Sequence, residues 1–374
     1  MTAPGARLVA LAAGGTGGHM FPAEALAQEL KRRGRRVLLV TDARGARYAT
    51  NFPADERFMI SAASPSIGGP VAKAAAAVSI AGGLMTAMRE FRKRQVCAAV
   101  GFGGYPSFPA MKAAALMNIP YGVHEQNGVL GRANRMVSAG ACFVAHGFPV
   151  LERVPARARD RLVEVGNPVR DIVNAAAHTP FNAPGEHDRI SLLVFGGSQG
   201  ASLFSRIAPA AIADLPPAVR TRLFVTHQAR DTEADAVRQT YRIAGVECEV
   251  APFFADLPER IARADIVLGR AGASTVTELS VIGRPSILVP LAIAMDDHQS
   301  GNARALAEAD AAVIIPETEF TTRRLSSKLH DILTDPALLA HMAASAKGRV
   351  KTGAAVALAD LVDAIADEKT KAAA

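Results

Sequence analysis

A chain of 374 residues is longer than one hydrophobic core usually serves, and at 49% hydrophobic it holds enough apolar residues for two. Three separated cysteines, with no CxxC or Cys/His cluster, argue against a disulfide framework or structural zinc and fit a reducing cytoplasm. The net charge of +7 is uneven: residues 1–168 carry 21 Lys+Arg against 10 Asp+Glu, a net +11, while residues 169–374 carry 21 against 25, a net −4. A basic half points to an anionic partner such as acidic lipid or a phosphorylated substrate. Nucleic acid is disfavoured, because the basic residues are not interleaved with aromatics and no nucleic-acid module signature occurs.

Met1–Arg7 lacks the pattern of a secretory signal, and Leu8–Ala13 suits a strand better than a signal core. In chain order, Arg7–Ala13 reads as a buried strand and Pro22–Arg33 as a helix with Pro22 in its first turn and Gly34 as its cap. Arg36–Thr41 completes a βαβ unit. The stretch Ala74–Met88 falls short of the roughly 20 residues a spanning helix needs. Followed by Arg89, Arg92, Lys93 and Arg94, it suits either a helix packed on the sheet or a membrane-docking element. Further buried strands are expected at Val96–Val100, Tyr121–His124, Cys142–Ala145 and Val163–Val165. Three prolines between Asn167 and Asp188 mark an interdomain linker. The second half repeats the rhythm, with strands at Ile190–Phe195, Leu223–Thr226, Val246–Pro252, Ile266–Leu268, Ser286–Pro290 and Ala312–Ile315. Helices Ala201–Ala213, Leu257–Ala264, Ser274–Ile282 and Thr321–Leu333 separate them. Continuous apolar runs predict parallel sheets covered on both faces.

Two glycine turns of one kind, Gly14-Gly15-Thr16-Gly17-Gly18-His19 and Gly196-Gly197-Ser198-Gln199-Gly200, each join a strand to a helix. Such a turn presents backbone N–H groups and a positive dipole end to an anion. The first is not GxGxxG, because Met20 stands at the third glycine. Asp42 nevertheless ends the next strand where a ribose-binding acid would sit, so a dinucleotide site stays open. His19 at a helix start suits a general base, or simply a turn histidine. Gly101–Pro106 and His124-Glu125-Gln126-Asn127 each follow a strand; the four polar side chains suit sugar hydroxyls or acid–base work, or a solvated loop. Arg170, after Gly166-Asn167-Pro168-Val169, could grip a phosphate. Arg270–Glu278 opens a helix able to hold a diphosphate, with Glu278 on a ribose; the alternative is a capping box of Thr275 and Glu278. Adjacent Asp296 and Asp297 point different ways, which favours a loop over a metal site.

Together these motifs resemble the MurG family, the glycosyltransferases that complete the lipid-linked precursor of bacterial peptidoglycan. The likeness spans nearly the whole chain: GGTGGH at 14–19, GFGGYPS at 101–107, HEQN at 124–127, GNPVR at 166–170, GGSQGA at 196–201, Arg270–Glu278, and Gln299 with Asn302. Ser274, and Asp297-His298 beside the glutamine, depart from the usual pattern. The resemblance implies an α/β fold of GT-B type, two Rossmann-like domains with parallel sheets facing an interdomain cleft. The domains would be 1–168, with a helix from about 352 packing back on it, and 169–351. It implies inverting transfer of N-acetylglucosamine from UDP-N-acetylglucosamine to an undecaprenyl-linked acceptor, without cofactor or bound metal. The implied donor contacts are Thr16, Gly17, Gly18, Asn127, Arg170, Ser198, Phe254, Ala273, Ser274, Thr275, Val276, Thr277, Glu278 and Gln299. Gly14, Gly15, Tyr105 and Asn134 would face the acceptor. His19 is the chosen base, with Glu125 close behind. The implied place is the cytoplasmic face of the bacterial inner membrane, peripherally on anionic lipid, with cell-wall synthesis proteins as further partners. Rivals are a UDP-N-acetylglucosamine epimerase, an NAD-dependent oxidoreductase and a non-catalytic sugar-nucleotide sensor.

Overall fold

The structure, a computed structural model, describes residues 7–60, 70–197, 201–291, 298–349 and 351–371. The chain forms two compact units, Met1–Arg170 with Lys351–Ala374, and Asp171–Val350. Among the described residues the first unit holds seven parallel strands: β1 (Leu8–Ala12), β2 (Arg36–Thr41), β3 (Glu56–Met59), β4 (Val96–Gly101), β5 (Tyr121–Glu125), β6 (Phe143–His146) and β7 (Leu162–Glu164). Their order is β3-β2-β1-β4-β5-β6-β7, so the chain reverses its direction of travel across the sheet beside β1.

Strand alternation divides β1 between two cores. Val9 and Leu11 join Met20, Leu26 and Leu30 of the helix Gly17–Arg32, together with Leu358 and Val362 of the helix Ala354–Lys371. Leu8, Ala10 and Ala12 join Phe91, Met111 and Ile119 on the other face. Arg33 and Arg35 clasp the late helix: Arg33 reaches Asp360 (2.7 Å) and Asp363 (2.9 Å), and Arg35 reaches Asp363 (2.8 Å) and Asp367 (2.9 Å).

The second unit holds β8 (Ile190–Phe195), β9 (Leu223–Gln228), β10 (Glu247–Ala251), β11 (Ile266–Gly269), β12 (Ser286–Leu288) and β13 (Ala312–Ile314), parallel in the order β10-β9-β8-β11-β12-β13. Here the reversal lies beside β8. Ile190, Leu192 and Val194 pack on Phe204, Ile212, Tyr241 and Leu329.

Three sequence expectations change. The first helix begins at Gly17, five residues before Pro22, which lies inside it. The helix read at Ala74–Met88 runs Pro70–Arg94, so its basic tail lies within the helix, with Arg92, Lys93 and Arg94 in the last turn, where cations offset the negative dipole end. The segment read as a linker is packed: the helix Asp171–Ala176 buries Val173 and Ala176, and the buried Arg284 donates to the carbonyl of Thr179 (3.1 Å).

Candidate active site

In open α/β sheets, ligands collect outside the carboxyl ends of strands at the point where strand order reverses. In the first unit that edge carries the loops after β1, β4 and β5. The loops after β1 and β4 meet backbone to backbone: a Cβ on Gly104 would sit 2.5 Å from the Gly14 carbonyl oxygen, and one on Gly14 would meet Pro106 at 2.6 Å. Asp42, at the end of β2, draws the first loop inward. Its Oδ1 accepts from the backbone N–H of Gly15 (3.0 Å) and Gly45 (2.8 Å), and Arg44 holds its other oxygen. Burial pushes its carboxyl up, but these donors outweigh burial and hold it below the ordinary value. With Asp42 spent on the loop, the ribose-acid role that kept a dinucleotide site open is already occupied.

Thr16 adopts extended backbone before the helix and makes no side-chain cap hydrogen bond; its carbonyl accepts from the N–H groups of His19 and Met20 (both 3.2 Å), which leaves those of Gly17 and Gly18 at the start of the turn. His19 projects from that turn, partly exposed. Its ring fits because Gly103 has no side chain: a Cβ there would lie 3.1 Å from His19 Cε1, and the φ of Gly103 is +87°. His19 Nδ1 lies 3.0 Å from Gln126 Oε1. The amide nitrogen of Gln126 lies 3.1 Å from His124 Nδ1 and 3.0 Å from the His124 carbonyl oxygen, and His124 Nε2 lies 2.9 Å from the Gly166 carbonyl oxygen. Burial pushes the His124 imidazole down to about 4, with the charge of His146 adding to it against the hydrogen bond to Gly166.

Glu125 points the other way and is 2% exposed. One oxygen accepts from the backbone N–H (3.2 Å) and the side-chain amide (3.1 Å) of Asn127, and the other from Gly131 N–H (2.9 Å) and Asn134 Nδ2 (3.0 Å). Four donors on one carboxylate shape the loop that follows β5. Asn134 also donates to the His124 carbonyl (3.1 Å), and Tyr105 stands under the Arg44 guanidinium, 6.0 Å from its ring centroid. The Arg170 guanidinium lies over the Phe21 ring at 3.9 Å.

In the second unit, β8 and β11 flank the reversal. The N–H of Gly196 donates to Gln228 (3.3 Å), and Gly197 has φ +67°. Ser198 lies outside the described residues. After β11, Gly272 is the cap of the helix Ala273–Ile282, so Ala273, Ser274 and Thr275 are its first turn. That removes the capping-box alternative, because Thr275 already lies inside the helix. Val276, Thr277 and Glu278 are buried in the next turn. Arg270 is anchored beneath by Glu317 (2.8 Å) and the Val289 carbonyl (3.2 Å). Asn302 ties the loop down by donating to the Ala271 carbonyl (3.1 Å). Gln299, in the first turn of the helix His298–Ala307, accepts from Leu291 N–H (3.0 Å). Phe254 is buried under Arg260, whose guanidinium lies 4.2 Å from the ring centroid.

The descriptions "Glycosyltransferase family 28 N-terminal domain" and "Glycosyltransferase family 28 C-terminal domain" fit residues 9–145 and 191–358. The chain is 49% identical over 354 residues to the UDP-N-acetylglucosamine–N-acetylmuramyl-(pentapeptide) pyrophosphoryl-undecaprenol N-acetylglucosamine transferase of Rhodospirillum centenum, covering 95% of this chain and 93% of that one. Its counterpart in Caulobacter vibrioides is 47% identical over 357 residues, 96% and 98% of the two chains. The crystal structure of MurG from Acinetobacter baumannii superposes with a TM-score of 0.74 at 30% identity, covering 96% and 99%. The chain belongs to the MurG family. Its two parallel-sheet units are the GT-B glycosyltransferase fold.

Within that MurG-family frame, the structure gathers His19, Thr16, Gly14, Gly15, Tyr105, Asn134 and Glu125 at one sheet edge of the first unit. It gathers Ala273–Glu278 and Gln299 at the corresponding edge of the second. The sequence pattern points to HEQN as a group without separating the work of Gln126 and His124, and it leaves open a ribose role for Asp42 that the loop hydrogen bonds take up instead. A signal was available: in an extended strand, residues 124 and 126 share a side and residue 125 takes the other.

Proposed function

We propose that this chain transfers N-acetylglucosamine, with inversion, from UDP-N-acetylglucosamine to the 4-hydroxyl of the N-acetylmuramyl unit of undecaprenyl-diphospho-muramoyl-pentapeptide. The supporting observation is His19: a partly exposed imidazole on a glycine-turn helix start, hydrogen-bonded through Nδ1 so that Nε2 is the nitrogen turned to a substrate. The 4-oxygen bonds to the anomeric carbon, its proton passes to His19 Nε2, and the bond from that carbon to the diphosphate breaks with its electron pair leaving on UDP. Glu125 suits this role less, because its oxygens already accept four hydrogen bonds.

The donor diphosphate is assigned to the N–H groups of Ala273, Ser274 and Thr275, where the dipole of the helix stabilises the leaving charge. Glu278 takes the ribose hydroxyls, the Phe254 backbone the base, and Gln299 a sugar hydroxyl; Ser198, Thr16, Gly17, Gly18, Asn127, Arg170, Val276 and Thr277 complete the donor set. The acceptor diphosphate is assigned to the turn at Gly14 and Gly15. No metal is required in this scheme.

An acceptor with a polyprenyl tail stays in the bilayer, so the enzyme works at its surface. The helix Pro70–Arg94 supports this: Val78 and Met85 are 73% and 72% exposed, and exposed Arg89 and Arg92 follow at helical spacing. No helix among the described residues is long and apolar enough to cross a membrane.

The test is transfer of labelled N-acetylglucosamine to the lipid acceptor in the presence of a chelator. Native protein forms the disaccharide-lipid, and His19→Ala slows turnover on the order of 10²–10⁴-fold while UDP affinity persists. Epimerised UDP-sugar formed without acceptor, or near-native turnover by His19→Ala, overturns the assignment.

A further inference from the structure

The contacts around Gln126 determine where the protons sit. A backbone carbonyl only accepts, so the Gln126 atom facing the His124 carbonyl oxygen at 3.0 Å is the NH₂ group. The Gln126 amide therefore presents its oxygen to His19. The second N–H of that NH₂ points at His124 Nδ1, 3.1 Å away, which must accept. His124 then carries its single proton on Nε2, and Nε2 faces the Gly166 carbonyl at 2.9 Å, which again can only accept. Two independent carbonyls thus impose the same polarity on the chain. The burial that keeps His124 neutral removes the form in which its Nδ1 would donate. At the far end, Gln126 Oε1 accepts, so His19 Nδ1 donates across 3.0 Å. A neutral imidazole with its proton on Nδ1 has its lone pair on Nε2.

We propose that Gln126 and His124 are positioning residues that lock His19 in the Nδ1–H tautomer, leaving Nε2 as the basic nitrogen. This rests on the assignment of His19 as the base for its catalytic consequence, though not for the tautomer itself. No proton travels along the chain: Gln126 cannot pass one on, and the proton taken from the acceptor hydroxyl stays on Nε2 until solvent removes it. The amide partner holds the ring by orientation, without placing a carboxylate beside it. Gly166 contributes through its backbone. Its φ of +87° and the absence of room for a Cβ, which would lie 2.8 Å from the Lys351 carbonyl, set the carbonyl that starts the polarity.

The experiment is ¹⁵N NMR of histidine-labelled protein well above the ordinary imidazole titration range, with His19 identified by the resonance lost in His19→Gln. Native protein shows His19 as Nδ1–H; Nε2–H overturns the proposal whether or not any variant folds. Gln126→Met, which neither donates nor accepts there, shifts His19 toward Nε2–H and lowers kcat on the order of 10²-fold or more, with KM for UDP-N-acetylglucosamine within about twofold. Gln126→Glu restores an acceptor for Nδ1–H, keeps the Nδ1–H tautomer and recovers part of kcat. A purely structural glutamine predicts the reverse ranking, since Met suits a buried site better than a carboxylate, and that ranking overturns the proposal. If the tautomer follows the pattern but neither His19→Ala nor Gln126→Met slows turnover, the tautomer lock stands and the base assignment falls.

Discussion

His124 and Glu125 are adjacent in one strand and serve opposite ends. Alternation turns His124 toward Gln126 and His19, and Glu125 toward the loop it organises. That division was legible in outline, since four polar residues after a buried strand flagged the position. It was not legible which of them chemistry would use, because that depends on donors supplied by Asn134 and Gly131, several residues downstream. Asp42 makes the same point. Its place at a strand end suggested a ribose contact, and only the tertiary approach of Gly15 and Gly45 reveals it as a loop anchor. Because its folded-state value lies below the ordinary carboxylate value, Asp42 stabilises the fold above the unfolded value, and that contribution is lost as pH falls through the folded one. Urea midpoints measured from neutral pH down to about pH 3 should therefore fall less steeply for Asp42→Asn than for native protein. Parallel curves would mean that the hydrogen bonds at Gly15 and Gly45 carry no charge-dependent stability.

At the level of elements, buried strands were readable because a strand covered on both faces is apolar throughout, as in Leu8–Ala12 and Ile190–Phe195. The edge strand Glu56–Met59 was missed for the converse reason. It alternates partly buried with exposed residues over only four positions and offers no apolar run. Pro22 misplaced the first helix start: proline commonly opens a helix, but here the glycine turn does so and the proline falls one turn inside. The family resemblance implied that the late helix Ala354–Lys371 packs back on the first unit, but the residue pattern did not name its partners, since Arg33 and Arg35 lie more than 300 residues away. Asp363 is the centre of that clasp, taking a hydrogen bond from each arginine. Asp363→Ala should cost about 1 kcal/mol in chemical denaturation, a loss that shrinks in high salt because the pairs are partly exposed. A salt-independent loss would point to the apolar face, Leu358 and Val362, as the whole of the attachment.

For the molecule as a whole, charge and exposed apolar surface coincide in the first half of the chain. A helix that presents Val78 and Met85 beside Arg89 and Arg92 should hold the protein on vesicles containing anionic lipid. Reversing both arginines to glutamate should weaken co-sedimentation at least tenfold, at about 1 kcal/mol for each basic residue near the surface. Binding that persists unchanged in high salt, or in those variants, would refute an electrostatic component. The return of the late helix to the first unit has another consequence, in the timing of biosynthesis. A ribosome completes residues 171–350, the whole of the second unit, before it delivers Leu358, Val362 and Ile365 to the first. The unit translated first is therefore finished last. For a period on the order of tens of seconds, Val9, Leu11 and Val100 lack their final cover. A nascent chain of this protein is most exposed to chaperones and proteases at its oldest end.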